Sequence, residues 1–211
     1  MGIVLVLQIV MAAQLVALLA QRSWVSGVWL LAIMAVTSAP LWLGHRLPVR
    51  FPAEYELLAI LFVFGSLFLG EFHSYYERFW WWDVALHSLS GLLLGVLGFL
   101  LAYMLNENRR IDTHLRAGFV ALFAFAFAVT AGTLWEILEF AADQLFGMQM
   151  QKPMLGDPSG LTDTMWDLVV DTLGAAVISG FGWWHLKRER RSFIDDWTDR
   201  LVEKNPRLFR S

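Results

Sequence analysis

The chain has 211 residues, of which 57% are hydrophobic and 17% charged, with a formal net charge of −3. Soluble domains carry about a quarter charged residues, so this composition excludes an ordinary soluble domain. With no cysteine in the chain, disulfides, thiolate ligands and cysteine nucleophiles are excluded too, and redox chemistry says nothing of the compartment.

The apolar residues fall into runs near twenty long, the length that crosses a bilayer core of about 30 Å. Residues Gly2–Ala20 form the first such run. No basic residue precedes it, so it reads as a first span rather than a secretory signal. A short turn at Gln21–Ser23 leads to the second run, Trp24–Gly44, which Pro40 is expected to kink near its end. After the loop HRLPVRFP comes the third run, Ala53–Gly70, followed by the aromatic and charged segment EFHSYYERFWWWD. The fourth, Val84–Leu105, carries Gly91, Gly95 and Gly98, which permit close helix approach. A polar loop, NENRRIDTHLR, separates it from the fifth, Ala117–Phe146, long enough to tilt or protrude. The sixth is Thr164–Leu186, and the charged tail from Lys187 reads as an amphipathic or soluble helix. The expected fold is therefore all-α: a polytopic membrane protein with six transmembrane helices over residues 1–186 and a charged cytoplasmic tail over 187–211.

Six spans place both termini on one side, and lysine and arginine decide which. Arg46 and Arg50 lie in the second loop, Arg109, Arg110 and Arg116 in the fourth, and Lys187, Arg188, Arg190, Arg191, Arg200, Lys204, Arg207 and Arg210 in the tail. Only Arg22, Arg78 and Lys152 lie on the other side. Both termini are thus expected in the cytoplasm. Trp80, Trp81 and Trp82 suit the outer interface, and Trp183 and Trp184 the inner one. Asp195, Asp196, Asp199 and Glu203 interrupt the basic tail, so it reads as a topology signal in contact with anionic lipid and not as a nucleic-acid-binding element.

Acids occur where lipid-embedded helices should carry none. Glu136, Glu139 and Asp143 are spaced i, i+3, i+7, and Asp163, Asp167 and Asp171 are spaced i, i+4, i+8, so each set shares a helix face. At about 1.5 Å per residue, His87 lies one turn inside the fourth span. Glu139 and Asp167 lie about one turn deep, and Glu136 and Asp171 about two. Glu71 and His73 stand at the exit of the third span. These groups converge on one slab in the outer third of the membrane. Intramembrane carboxylates almost always face a bundle interior or a wet cavity. Crowded together, they repel one another unless a cation or a proton sits among them.

Oxygen donors with one imidazole suit a divalent ion, Mg²⁺, Mn²⁺, Fe²⁺ or Zn²⁺. The expected ligands are His87, Glu136, Glu139, Asp167 and Asp171, with Glu71, His73, Glu77, Asp83, Asp143 and Asp163 as secondary candidates. Each has a plainer reading. Asp83 and Asp163 can be helix N-caps, and Thr164 with Asp167 has the spacing of a capping box. Asp143 can be interfacial, and His87 can pair with Asp83 four residues earlier. Glu71, His73 and Glu77 can be solvated at a loop edge with Arg78 as counter-ion. His45, His114 and His185 read as surface residues on the cytoplasmic side. There is no nucleophile elbow, P-loop or HExxH motif, and nothing marks Ser88 and Ser90, which lie near His87, as part of a serine triad.

The stretches LGEFHSYYERFWWWDVALHSLSG, LWEILEFAADQLFGMQMQ and GLTDTMWDLVVDTLGA resemble the uncharacterised bacterial inner-membrane family of the YjdF type, over about Leu69–Leu186. The acids and histidines named above, from Glu71 to Asp171, occupy its motif positions, and the resemblance implies a small polytopic inner-membrane protein without assigning them a role. A weaker similarity is to VanZ-like proteins. Asp83 and His87 match an Asp and His opening one span, Glu136 an intramembrane acid, and Asp167, Asp171 and Gly174 a D-x-x-x-N-x-x-G helix. Asp171 departs from the Asn of that pattern and Glu139 from a common Gln, and both departures add charge.

Three functions follow as expectations. One is a metal-dependent enzyme acting from the outer side on a lipid or polyprenyl-linked envelope substrate. Another is a small cation- or proton-coupled transporter. The third is a non-catalytic partner protein whose acids fix helix packing. The first is preferred, because buried acids rarely lack a role, and the second is disfavoured because the inner halves of spans four to six offer few ionisable groups for a path across the membrane. Membrane lipids are the expected surroundings, and the oligomeric state is open.

Overall fold

The computed structural model describes residues 2–43, 50–106, 115–188 and 193–206. Every regular element among them is helical, and the only strand-like pairing among them is an isolated bridge between Met154 and Asp157. The chain divides between Trp82 and Asp83 into two compact units.

The first unit begins with α1 (Gly2–Ala20) and α2 (Trp24–Leu43). The turn joining them places Arg22 in the left-handed region, φ 57°, and Ser23 N–H donates back to the Leu18 carbonyl at 2.9 Å. Both helices are apolar all round, as lipid-facing helices are. Their contact is built on Met11, Leu18, Leu30 and Ile33, with Phe68 from later in the chain. Apolar surfaces gain little from each other in lipid, so polar contacts help to lock such a pair. Here the Gln8 amide donates to the Met34 carbonyl at 3.2 Å and to Thr37 Oγ1 at 3.0 Å.

The third helix, α3 (Ala53–Val63), runs on as a π-helix over Phe64–Phe72. Widening of this kind is rare and frequently sits at functional positions. It stacks Phe64, Phe68 and Phe72 at centroid spacings of 4.9 and 5.9 Å. The short α4 (Tyr75–Arg78) then folds back on it: Tyr76 shares a hydrogen bond with Ser66 at 2.9 Å, and the Trp82 indole donates to the Gly65 carbonyl at 3.3 Å. Trp80 and Trp81 stay exposed, as interfacial aromatics do.

The second unit holds α5 (Trp82–Asn106), α6 (Ala117–Phe146), α7 (Leu161–Lys187) and α8 (Phe193–Lys204). On α6 the buried line is Ala121, Ala124, Ala128, Gly132 and Glu136. On α7 it is Asp163, Asp167, Asp171, Gly174, Ala175, Ile178, Ser179 and Gly182. Spacings of three and four put each line on one face, and these small residues let α5, α6 and α7 approach closely. One close approach of backbone to backbone is a reciprocal pair. A Cβ on Gly91 of α5 would strike the backbone carbonyl of Asp171, and one on Gly174 of α7 would stand 2.7 Å from the backbone oxygen of Ser88. The expected close approach at Gly91, Gly95 and Gly98 is realised, the last two against Ile178 and Ala124.

Five helical stretches are long and apolar enough to cross a membrane: Gly2–Ala20, Ala53–Phe72, Trp82–Leu105, Ala117–Phe146 and Leu161–Lys187. The apolar part of α2 among the described residues, Trp24–Ala39, is shorter than the others. At 30 residues, α6 is about 45 Å long and exceeds the roughly 30 Å hydrocarbon core. Past α7 the tail is helical as expected, with Leu201, Thr198 and Asn205 buried. Cations cap the tryptophans at the end of α7: Lys187 Nζ lies 5.1 Å from the Trp183 ring and the Arg188 guanidinium 4.4 Å from that of Trp184. His45, Arg46, Arg109, Arg110, His114, Arg190, Arg191, Arg207 and Arg210 lie outside the described residues, as does the Pro40 side chain.

Candidate metal centre

Three helix ends meet in the second unit: the start of α5, the end of α6 and the start of α7. Antiparallel packing of consecutive helices brings them together, because α5 and α7 enter from the side on which α6 leaves. His87, on the second turn of α5, lies at the centre. Its Nε2 faces Asp83 Oδ1 at 3.6 Å and Asp167 Oδ2 at 3.8 Å. Its Nδ1 faces Asp171 Oδ2 at 3.3 Å and Glu136 Oε1 at 3.8 Å. Glu136, Asp167 and Asp171 are 3%, 1% and 3% exposed. Ser90 Oγ, one turn beyond His87, donates to Asp171 Oδ1 and to the His87 carbonyl, the latter at 2.8 Å.

The spacing carries chemical information. A nitrogen–oxygen hydrogen bond spans about 2.7–3.2 Å, so most of these contacts are too long to be one. Two donors each about 2.1 Å from a shared ion at a tetrahedral angle stand roughly 3.4 Å apart, which is the spacing found here. One ligand atom each from Asp83, His87 and Asp167 lie within 4.8 Å of one another. Glu136 Oε1 and Asp167 Oδ1 are buried and have no hydrogen-bond partner among the described residues. A buried carboxylate oxygen without a partner is costly, and a cation is the partner its charge calls for.

The expected ligands fare differently. His87, Glu136, Asp167 and Asp171 are brought together, and Asp83, a secondary candidate, joins them. Glu139 lies on the next turn of α6, half-buried, and takes a hydrogen bond from the Trp135 indole. Asp143 and Asp163 anchor the connection between α6 and α7. Asp143 accepts the Met150 and Gln151 N–H groups at 2.8 and 3.0 Å, and Asp163 Oδ2 accepts that of Lys152 at 2.7 Å. Gln151 reaches on to Thr164 Oγ1 at 2.7 Å.

The capping readings are replaced accordingly. The N-cap of α7 is Gly160, at φ 78° and without a side-chain cap, so Asp163 lies inside the first turn and Thr164 opens no capping box. Asp83 likewise lies inside the first turn of α5. Asp163 also comes within side-chain hydrogen-bonding reach of Asp83.

Glu71, His73 and Glu77 belong to the first unit. Glu71 and Glu77 are exposed, while His73 sits edge-on to the Phe68 and Phe72 rings at 4.7 and 5.3 Å. Burial, and then the Arg78 cation, hold the His73 imidazole below the usual histidine range. His185, at the far end of α7, donates to the Phe181 carbonyl at 3.1 Å.

Sequence reasoning passed over Ser90 as a partner of Asp171, and Gly132, whose missing side chain makes room for the Asp171 carboxylate. Both had a signal: Ser90 is three residues after His87 and Gly132 four before Glu136, so each shares a face with a member of the cluster.

The loop before α7 gives two checks. Asp143→Ala strands two backbone donors, at a cost of about 1–3 kcal/mol, so limited proteolysis within residues 147–160 should accelerate; an unchanged cleavage rate would refute the anchoring role. Asp157 accepts Ser159 N–H at 2.9 Å, Thr162 N–H at 3.0 Å and Thr162 Oγ1 at 2.8 Å, which hold its carboxyl well below the usual range. A depressed folded value means the contribution is intact above about 3.9, the unfolded value, and is lost as pH falls toward the folded one. Amide exchange at Ser159 and Thr162 should therefore be equally protected at pH 7 and pH 5, and uniformly weaker in Asp157→Ala.

Together these features define a polytopic α-helical membrane protein whose second unit buries one imidazole among four carboxylates. The chain belongs to the predicted membrane protein family DUF2238, whose family model matches residues 3–188. It is 30% identical over 141 residues to an uncharacterised protein of Thermotoga maritima, covering 63% of this chain and 68% of the relative. No solved structure matches. The family match agrees with the YjdF-type resemblance; it does not extend to VanZ-like proteins.

Proposed function

We propose that this is a bacterial inner-membrane protein that holds a divalent cation at His87 and its carboxylates and uses it on a lipid or polyprenyl-linked envelope substrate. The observation that carries the reading is a pair of buried oxygens without a hydrogen-bond partner among the described residues, Glu136 Oε1 and Asp167 Oδ1, on carboxylates that flank one imidazole. With Asp83, His87 and Asp167 as donors, an ion keeps positions open for water or substrate, the arrangement of catalytic rather than structural sites. When bound, such an ion polarises phosphoryl or carbonyl oxygens and lowers the pKa of a bound water. Mn²⁺, Fe²⁺, Zn²⁺ and Mg²⁺ all suit this donor set.

A lipid-borne substrate is supported by the outer faces of the same helices. Leu134, Ile137, Leu138, Met165 and Trp166 are exposed beside Glu136 and Asp167, so acyl chains reach the level of the centre. We take α2 as a sixth span, with the termini cytoplasmic and the centre toward the outer side, from the distribution of lysine and arginine. Transport is less well supported. Beyond Asp171 the buried face of α7 is Gly174, Ala175, Ile178, Ser179 and Gly182, closed against α5 backbone, with no ionisable side chain.

The test is elemental analysis of full-length protein purified in detergent without chelator. At least one divalent ion per chain is expected, and an Asp83→Asn/Asp167→Asn double variant that keeps its helical circular dichroism should lose it. Wild-type protein that arrives metal-free and takes up no Mn²⁺ or Zn²⁺ on dialysis would end the proposal.

A further inference from the structure

The four carboxylates around His87 are not one ring. They form two pairs on opposite edges of the imidazole: Asp83 and Asp167 at Nε2, Glu136 and Asp171 at Nδ1. The two ring nitrogens point away from each other, so one ion cannot bind both. Each pair also contains a carboxylate with one buried oxygen that has no hydrogen-bond partner among the described residues, Oδ1 of Asp167 and Oε1 of Glu136. Glu136 Oε1 is itself the atom 3.8 Å from Nδ1. A single ion at Nε2 would leave Glu136 Oε1 unpartnered on the other edge, where Nδ1 shares a hydrogen bond with Asp171 Oδ2 at 3.3 Å.

We infer that the centre holds two divalent cations, one on each side of His87, with the imidazole as the shared wall. The inference rests on the divalent-cation reading of the same site. The Nε2 ion lies toward the helix ends, beside the loop that Asp163 anchors, and is the one with access to substrate. The Nδ1 ion lies one turn deeper, held by Glu136 and by Asp171, whose second oxygen is fixed by Ser90. Holding an ion at each nitrogen would require the imidazole to give up its ring protons to solvent. The deeper ion is a positioning and charge-balancing element for the outer one. Paired metals of this kind clamp attacking and leaving oxygens when close together. Here the intervening ring keeps them apart, so the deeper ion does not touch substrate.

Gly132 offers a selective probe. A Cβ there would stand 2.7 Å from Asp171 Oδ2, the far end of a movable side chain, so Gly132→Ala displaces the deeper carboxylate and leaves Asp83 and Asp167 alone. Glu136→Gln is a second, nearly isosteric probe of the same edge. The experiment is Mn²⁺ titration of full-length, metal-stripped protein in detergent, read as bound ions per chain. Wild type should saturate at two ions. Gly132→Ala and Glu136→Gln should each saturate at one. Saturation of wild type at one ion overturns the two-ion inference and leaves the metal reading standing, whereas no binding at all overturns both. Two ions retained in both variants would place the second ion elsewhere and likewise sink the inference.

Discussion

Replacing His87 by alanine should lower divalent-metal affinity by at least about 100-fold, beyond the roughly 10–100-fold cost of disturbing an outer-shell partner. The imidazole is the one nitrogen donor placed among these carboxylates, and all four lie within 3.8 Å of it. Its loss removes a ligand from each edge and leaves the acids facing one another. Without metal, removing one partner of a buried charged cluster costs roughly 3–5 kcal/mol, so metal-stripped His87→Ala should also melt at lower temperature than stripped wild type. Equilibrium dialysis with Mn²⁺ and thermal melting in the same detergent measure the two effects. A variant that binds Mn²⁺ as wild type does would show that the ion does not sit on this ring, and the proposed centre would fall with it.

The second large effect belongs to the helix seam. Gly91→Ala should destabilise the second unit by about 1–3 kcal/mol, the usual range for overpacking, and Gly91→Leu should prevent folding. The obstacle to the new Cβ is the Asp171 backbone carbonyl, which cannot swing aside as a side chain end can. Gly174→Ala meets the Ser88 backbone in the same way. Gly180, also on α7, is the control: a Cβ added there would meet nothing within 4 Å, and alanine should be neutral or stabilising by up to about 1 kcal/mol through helix propensity. Because the Gly91 contact is with Asp171 itself, Gly91→Ala should weaken metal binding as well, and Gly180→Ala should not. If the two variants melt alike, the seam is looser than its geometry implies.

Much of this architecture could be read directly from the chain. Lipid imposes long apolar runs on any helix that crosses it, so Gly2–Ala20 and Ala117–Phe146 are found with the same bounds in the sequence and in the structure. The third run was legible as a span but not as a π-helix, since the widening at Phe64–Phe72 depends on how Tyr76 and Trp82 fold back on Ser66 and Gly65. The acids of α6 and α7 announce themselves because charge inside an apolar run demands a partner. Which partner is another matter. Asp143 and Asp163 share faces with Glu136 and Asp167, yet they hold loop amides, since the connection between the helices folds back over them.

Helix periodicity and the cost of placing charge in lipid are local properties. From the sequence alone they established an all-helical chain and named His87, Glu136, Glu139, Asp167 and Asp171 as groups that need one another. The spacing of four between Asp83 and His87 allowed their pairing, but only tertiary packing decided that Asp167 joins Asp83 at one edge of the imidazole, that Glu136 and Asp171 take the other, and that Glu139 stays outside. Those outcomes depend on the rotation and depth of α5, α6 and α7 about their mutual seam. Contacts between residues as distant in sequence as Gly91 and Asp171 set these quantities, and no spacing within a single helix encodes them.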